Sequence, residues 1–208
     1  VKILCFKYFR PMKIKKRILV SPLDWGIGHA TRCIPIIKAL IANQFEVVIA
    51  ADRRPLHLLK NEFPELEAIR FGGYNINYST HLPMSLSMTL QIPKILFGIK
   101  KEHKTIEQII EDYKIDGVIS DNRFGLSTKK VPCVFITHQL EIQSAFFTDA
   151  IQNFNYQYIN NYTACWIMDD EKINLAGKLS KPTILPNNPV YIGPQSRFEY
   201  KNLEKKYD

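Results

Sequence analysis

No apolar run in the 208-residue chain approaches the ~18 residues a membrane-spanning helix needs. Cysteine is scarce and scattered: Cys5, Cys33, Cys133 and Cys165 contain no C-x-x-C pair. No zinc site can be built from that spacing without distant histidines, so no metal is expected. Three of the four sit in apolar runs, the setting of buried free thiols in a reducing cytosol. Acidic residues are missing from residues 1–17, which hold seven of the 28 Lys and Arg. The remaining 21 basic residues meet 20 acidic ones, so the body of the chain carries +1 and not the +8 of the whole. That balance, with no DNA- or RNA-binding motif, argues against a nucleic-acid partner. There is no internal repeat, and a content of 46% apolar and 12% aromatic residues excludes a disordered chain. The length suits one substantial α/β domain and is small for two.

The stretch Val1–Arg10 is basic and aromatic, but only about half as long as a signal peptide and without a small-residue cleavage site. Met12-Lys-Ile-Lys-Lys-Arg17 resembles a natural start. Residues 1–16 are therefore expected outside the core, with residues 1–11 an upstream extension. The alternative is a basic tail that touches a membrane surface at its inner face.

From Arg17 the chain alternates short apolar strands with helices. Arg17–Pro22 reads as a strand, Leu23–His29 as a glycine turn, and Ala30–Leu40 as a helix with Ile34, Ile37, Leu40 and Ile41 on one face. Further strands are expected at Phe45–Ala51, Glu67–Phe71, Ile115–Ser120, Val131–Thr137, Ala164–Met168 and finally Val190–Pro194. Helices are expected with Pro55 in the first turn and an end near Phe63, from 84 to 113 with an interruption near Pro93, and from Ser144 to Asn161. Gly72–Pro83 forms a polar, aromatic loop, and loops of this length without structure of their own are often functional. The pattern specifies an α/β fold, a Rossmann-like doubly wound parallel sheet in one domain. Ligands of such sheets sit beyond the carboxyl ends of the strands. Those ends carry Gly26–His29, Asp52, Asp121–Arg123 and His138–Gln139.

Three segments resemble the two-domain GT-B glycosyltransferases. Gly26-x-Gly28-His29 followed by Ala-Thr-Arg-x-x-Pro35 is similar to their first loop. Ile119-Ser-Asp121 is similar to the strand end where inverting members hold an acidic partner for the histidine. Tyr191-Ile-Gly-Pro194 is similar to the segment that leaves the N-terminal domain. The group most resembled, family 28, contains the bacterial N-acetylglucosaminyltransferase of peptidoglycan synthesis and the plant galactolipid synthases. The likeness runs over residues 17–195, the acceptor-side half of a GT-B fold, and 196–208 then read as the start of an interdomain linker. It implies transfer of a hexosyl or N-acetylhexosaminyl group, with inversion, from a nucleotide sugar of the UDP type. That donor is a co-substrate, and no other cofactor is implied. The acceptor would be a sugar or a lipid-linked molecule, and the donor-binding half would be a missing domain or a separate subunit.

The chemistry gives two residues a purpose. An acceptor hydroxyl must lose a proton as it attacks the anomeric carbon, and a neutral imidazole such as His29 suits that step near pH 7. A carboxylate such as Asp121 on the second ring nitrogen fixes the tautomer and stabilises the imidazolium. The plain alternative for His29 is a residue that caps a turn. Free backbone N–H groups at the helix start, around Gly26, Gly28 and Thr31, suit an anion. Asp24 and Trp25 either contact a sugar ring or pack the turn against the domain. Arg123 either meets a phosphate or pairs with a surface carboxylate, and His138 and Gln139 either border the acceptor cleft or begin a loop. Two other functions remain open on the sequence. Asp52, 24 residues after Gly28, stands where a dinucleotide-binding oxidoreductase places its ribose-binding acid, although Thr31 replaces the third glycine. A non-catalytic, acceptor-binding subunit of a split transferase is the other.

Overall fold

In a computed structural model of the chain, the described residues are 15–74, 91–141 and 148–198. The expectations for residues 1–14, for most of the loop ending at Pro83, for the helix between 84 and 90 and for the segment after 198 lie outside them. Seven strands form one parallel sheet: β1 (Arg17–Pro22), β2 (Glu46–Ala51), β3 (Glu67–Arg70), β4 (Gly117–Asp121), β5 (Cys133–Thr137), β6 (Ala164–Ile167) and β7 (Pro189–Tyr191). Their order is β3-β2-β1-β4-β5-β6-β7, as expected for a doubly wound sheet. Helices α1 (Ile27–Ala42), α2 (Arg53–Glu62), α3 (Ile92–Asp112) and α4 (Thr148–Ile159) complete the described architecture.

Strands β1, β2, β4, β5 and β6 are apolar almost throughout because helices cover both faces of the sheet. Side chains alternate between those faces. Ile18, Val20, Val47, Ile49, Ile119, Val134, Ile136 and Trp166 pack with Cys33, Ile34, Ile37 and Leu40 of α1. Leu19, Val48, Val118 and Phe135 pack with Ile106, Ile109 and Ile110 of α3 on the other face. Each fully buried Ile or Leu contributes about 1.5–3 kcal/mol of apolar transfer.

Several element ends differ from expectation: α1 starts at Ile27, so Gly28 and His29 of the expected glycine turn lie in its first turn. Ile41 lies in the last turn of α1, beside the reversal at Asn43–Gln44, and is 40% exposed, whereas Ile36 is buried. α3 starts at Ile92, with Pro93 in its first turn, where its missing N–H has no intrahelical partner to lose; the start falls where the interruption is expected, and the expected helix before it lies outside the described residues. The second helix starts at Arg53, which puts Pro55 in its first turn as expected. Lys16, just ahead of β1, accepts the Glu46 N–H at 2.9 Å through its carbonyl and bonds Asp116 at 2.6 Å through Nζ.

Candidate functional site

The strand order runs outward from β1 in one direction and from β4 in the other. The carboxyl ends of this adjacent pair flank the topological switch point, where α/β sheets open a crevice. Pro22 of β1 is in register with Asp121, the last residue of β4. Alternation along β4 places Asp121 on the same face as Ile119, beneath α1, and alternation along β5 places His138 on the face of Ile136. The first turns of α1 bring His29 and Arg32 over that face. Thus four side chains from three elements converge.

Asp121 is fully buried. Arg32 donates to it from Nε to Oδ2 at 2.6 Å and from Nη2 to Oδ1, the fork that a carboxylate accepts. Nδ1 of His29 lies 3.3 Å from Asp121 Oδ2 and 2.6 Å from Arg32 Nη2. Arg32 Nη1 lies 2.8 Å from Nδ1 of His138. Burial on its own would raise Asp121, but the adjoining His29 ring, the hydrogen bonds from Arg32 and the Arg32 charge outweigh it and hold the carboxyl below its usual range. Burial, reinforced by the Arg32 charge, holds His138 below the ordinary imidazole range. The Cys33 thiol, 3.8 Å from Asp121 Oδ2, is pushed well up by burial and by that carboxylate. Such a thiol is inert.

The expected contact between His29 and Asp121 is thus present, and His138 joins it. Arg32 was not singled out from the sequence, though its spacing from His29 is a signal: positions i and i+3 of a helix share a face. Gly26 and Gly28 are exposed, and a Cβ at either would meet nothing within 4 Å. They leave open room at the mouth of the turn. Thr31 donates to the Gly28 carbonyl at 2.9 Å, which closes the first turn of α1.

The other sequence candidates lie apart from this cluster. Asp24 accepts the Gly73 N–H at 3.3 Å. Trp25 donates from Nε1 to the Tyr74 carbonyl at 3.2 Å and meets the Tyr74 ring edge-on at 6.1 Å. The two residues staple the first loop to the segment after β3, and Trp25 remains 37% exposed. Gln139 is exposed, its N–H bonded to Thr137 Oγ1 at 3.0 Å. Asp52 is occupied by Arg70 Nε at 2.8 Å.

Arg123 needs correction on both of its readings: it is neither a surface pair nor a phosphate contact but fully buried. It bonds buried Glu102 at 2.8 Å from Nε and Nη2, Ser21 Oγ at 3.1 Å, the Phe71 carbonyl at 3.0 Å and the Gly72 carbonyl at 3.0 Å. Four hydrogen bonds and the Nη2–Glu102 ion-pair contact thereby engage all three nitrogens of the guanidinium inside the protein. Asn122 separates Arg123 from Asp121 in a left-handed conformation, φ 55°, which asparagine tolerates. The chain turns there, with Asp121 against α1 and Arg123 against α3.

Among the described residues no cluster of three or more His, Cys, Asp or Glu is arranged to hold a metal. No described helix is long and apolar enough to cross a membrane. A cavity of about 450 Å³ lies at the opposite, amino edge of the sheet between Thr128–Pro132 and Asn161–Thr163, away from the cluster.

No curated protein sequence matches the chain. Among solved structures it is similar to Arabidopsis thaliana UGT89C1 complexed with quercetin, with TM-score 0.61 and 11% identity over 90% of this chain and 52% of that one. It is similar to Phytolacca americana UGT2 complexed with UDP-2fluoro-glucose and pterostilbene, with TM-score 0.55 and 11% identity over 88% of this chain and 55% of that one. It is similar to Acinetobacter baumannii MurG, with TM-score 0.51 and 12% identity over 85% of this chain and 44% of that one. At such identities the likeness establishes the fold, half of a GT-B architecture. The chain spans about half the length of the structures it matches. A family model, "Glycosyl transferase family 1", matches residues 16–165, well over half the chain and a span that contains the whole His29–Arg32–Asp121–His138 cluster. The oxidoreductase alternative gives way to that match, and the chain belongs to glycosyl transferase family 1.

Proposed function

We propose that residues 17–195 are the acceptor-side domain of a GT-B glycosyltransferase, and that His29 deprotonates the acceptor hydroxyl with Asp121 as its partner. The observation that carries the reading is the approach of His29 Nδ1 to within 3.3 Å of buried Asp121 Oδ2 at the switch point. In the reaction the acceptor oxygen forms a bond to the anomeric carbon as the bond from that carbon to the diphosphate breaks. The hydroxyl proton passes to His29 Nε2, and the nucleoside diphosphate leaves. Attack from the face opposite the leaving group inverts the anomeric centre. Asp121, held ionised below its usual range, stabilises the imidazolium that forms. The transferred sugar is a hexosyl or N-acetylhexosaminyl group of a UDP-sugar, and the acceptor is a sugar or a lipid-linked molecule, the latter met at a membrane's inner face.

A matching span of about half the solved structures supports a division of labour. This chain holds the acceptor, and a donor-binding half, from residue 196 onward or in a partner subunit, holds the nucleotide sugar. The purified 208-residue chain is expected to release no UDP from UDP-sugars with acceptor present, and to do so once a donor-binding half is supplied. Product of inverted anomeric configuration, read by NMR coupling constants, supports the reading. Turnover by the chain alone, or a retained configuration, refutes it.

A further inference from the structure

Arg32 lies closer to Nδ1 of His29, the nitrogen turned away from the reacting proton, than Asp121 does. A guanidinium has donors and no acceptor, so a nitrogen 2.6 Å from Nη2 must offer a lone pair. His29 Nδ1 is in that position, and His138 Nδ1, 2.8 Å from Nη1, is in the same one. The donors suffice: Nε–H and one Nη2 hydrogen serve Asp121, the second Nη2 hydrogen serves His29, and an Nη1 hydrogen serves His138. A proton on either Nδ1 would set N–H against N–H at hydrogen-bond distance. Asp121 Oδ2 competes poorly for His29, since it stands at 3.3 Å and already accepts from Arg32 Nε at 2.6 Å.

We propose that Arg32 is the positioning residue of this site: gripping Asp121, it donates to Nδ1 of both His29 and His138 and so fixes the same tautomer on both rings, Nδ1 bare and the proton on Nε2. The groups that face His138 are Arg32, Asp121 and His29. Burial and the adjacent guanidinium disfavour its cationic form, in the same direction as the geometry. For the base, the consequence rests on the function proposed above. A base needs a lone pair on Nε2, so the resting site stands one tautomeric step from readiness. In that step Nε2 gives its proton to solvent in the open cleft and Nδ1 takes one from solvent, so the charge of the ring is unchanged. Arg32 Nη2 gives up Nδ1, and the new Nδ1–H turns to Asp121 Oδ2. Arg32 thereby keeps the empty cleft from presenting an armed base.

The test is a long-range ¹H–¹⁵N spectrum of the imidazoles of the 208-residue chain at neutral pH, assigned with His29→Gln and His138→Gln. The expected result is an unprotonated Nδ1 and a protonated Nε2 on both rings. In Arg32→Lys, which keeps charge but loses the fork, His29 is expected to move its proton to Nδ1. Arg32→Gln serves where the lysine variant does not fold. His29 protonated at Nδ1 in the wild-type chain, or tautomers unchanged in a folded variant, would overturn the proposal. The spectrum needs neither donor nor acceptor, so its outcome is independent of whether His29 later proves to be the base in turnover.

Discussion

Replacing Arg123 by Met separates a structural guanidinium from a surface one by magnitude alone. Exposed ion pairs contribute about 0–1 kcal/mol, whereas removing one partner of a buried pair costs about 3–5 kcal/mol. Arg123 is fully buried and Glu102 nearly so, and the loss would also leave the Phe71 and Gly72 carbonyls and Ser21 Oγ without this donor. Each forfeited bond adds about 1 kcal/mol. Ser21 Oγ retains its own bond to the Ala50 carbonyl at 2.7 Å. Glu102 offsets part of the loss, because burial already raises its carboxyl and makes it easier to neutralise. The balance is a destabilisation of about 3–5 kcal/mol, read as a shift of the urea midpoint at unchanged slope. The shift should persist in high salt, which screens exposed charges but not buried ones. The double variant Arg123→Met, Glu102→Met should be far less damaging than the sum of the single changes. A single-variant cost under about 1 kcal/mol, of the size of an exposed pair, or one abolished by salt, would refute the buried-pair account.

Three further outcomes follow from the geometry. Gly98→Ala should destabilise, against the ~0.5–1 kcal/mol gain usual for this change in a helix, because its Cβ would fall 2.6 Å from Tyr74 Cδ1; a raised thermal midpoint would contradict the wedge. His138 is held below its unfolded value of ~6.5, so the unfolded chain binds the proton first. That stability is complete above ~6.5 and is lost as pH falls toward the folded value, so melts of His138→Gln should fall less steeply with acid than wild type; parallel curves would refute it. Asp121 is held below its unfolded value of ~3.9, so the stability gap between wild type and Asp121→Asn should be full at neutral pH and close as acid titrates through the folded value.

Much of this architecture is legible in the chain because strand burial and glycine turns are local signals. Arg17–Pro22 and Gly117–Asp121 are short apolar runs whose ends carry the polar residues, so the face of Asp121 follows from strand alternation once the strand is found. Helix ends are less legible. The glycine turn expected through His29 gives way to helix from Ile27, because Gly28 and His29 carry no local signal that separates a turn from a first helical turn. The fate of Arg123 was hidden for a different reason. Its partners Ser21, Phe71, Gly72 and Glu102 come from three other parts of the chain, and nothing beside it in sequence announces burial. Arg32 was half visible: helical spacing puts it beside His29, but its hold on Asp121 and His138 depends on the strand order 1-4-5.

The central claim, that His29 takes the acceptor proton, is tested most directly by the turnover rate of His29→Ala. The measurement is UDP release with the donor-binding half and acceptor supplied at saturation. The account predicts a fall of ~10²–10⁴ with folding unchanged by circular dichroism, and a partial fall for Asp121→Asn, which keeps the shape of the acid and removes its charge. A His29→Ala variant that turns over at the wild-type rate would contradict it and leave His29 a residue of the turn.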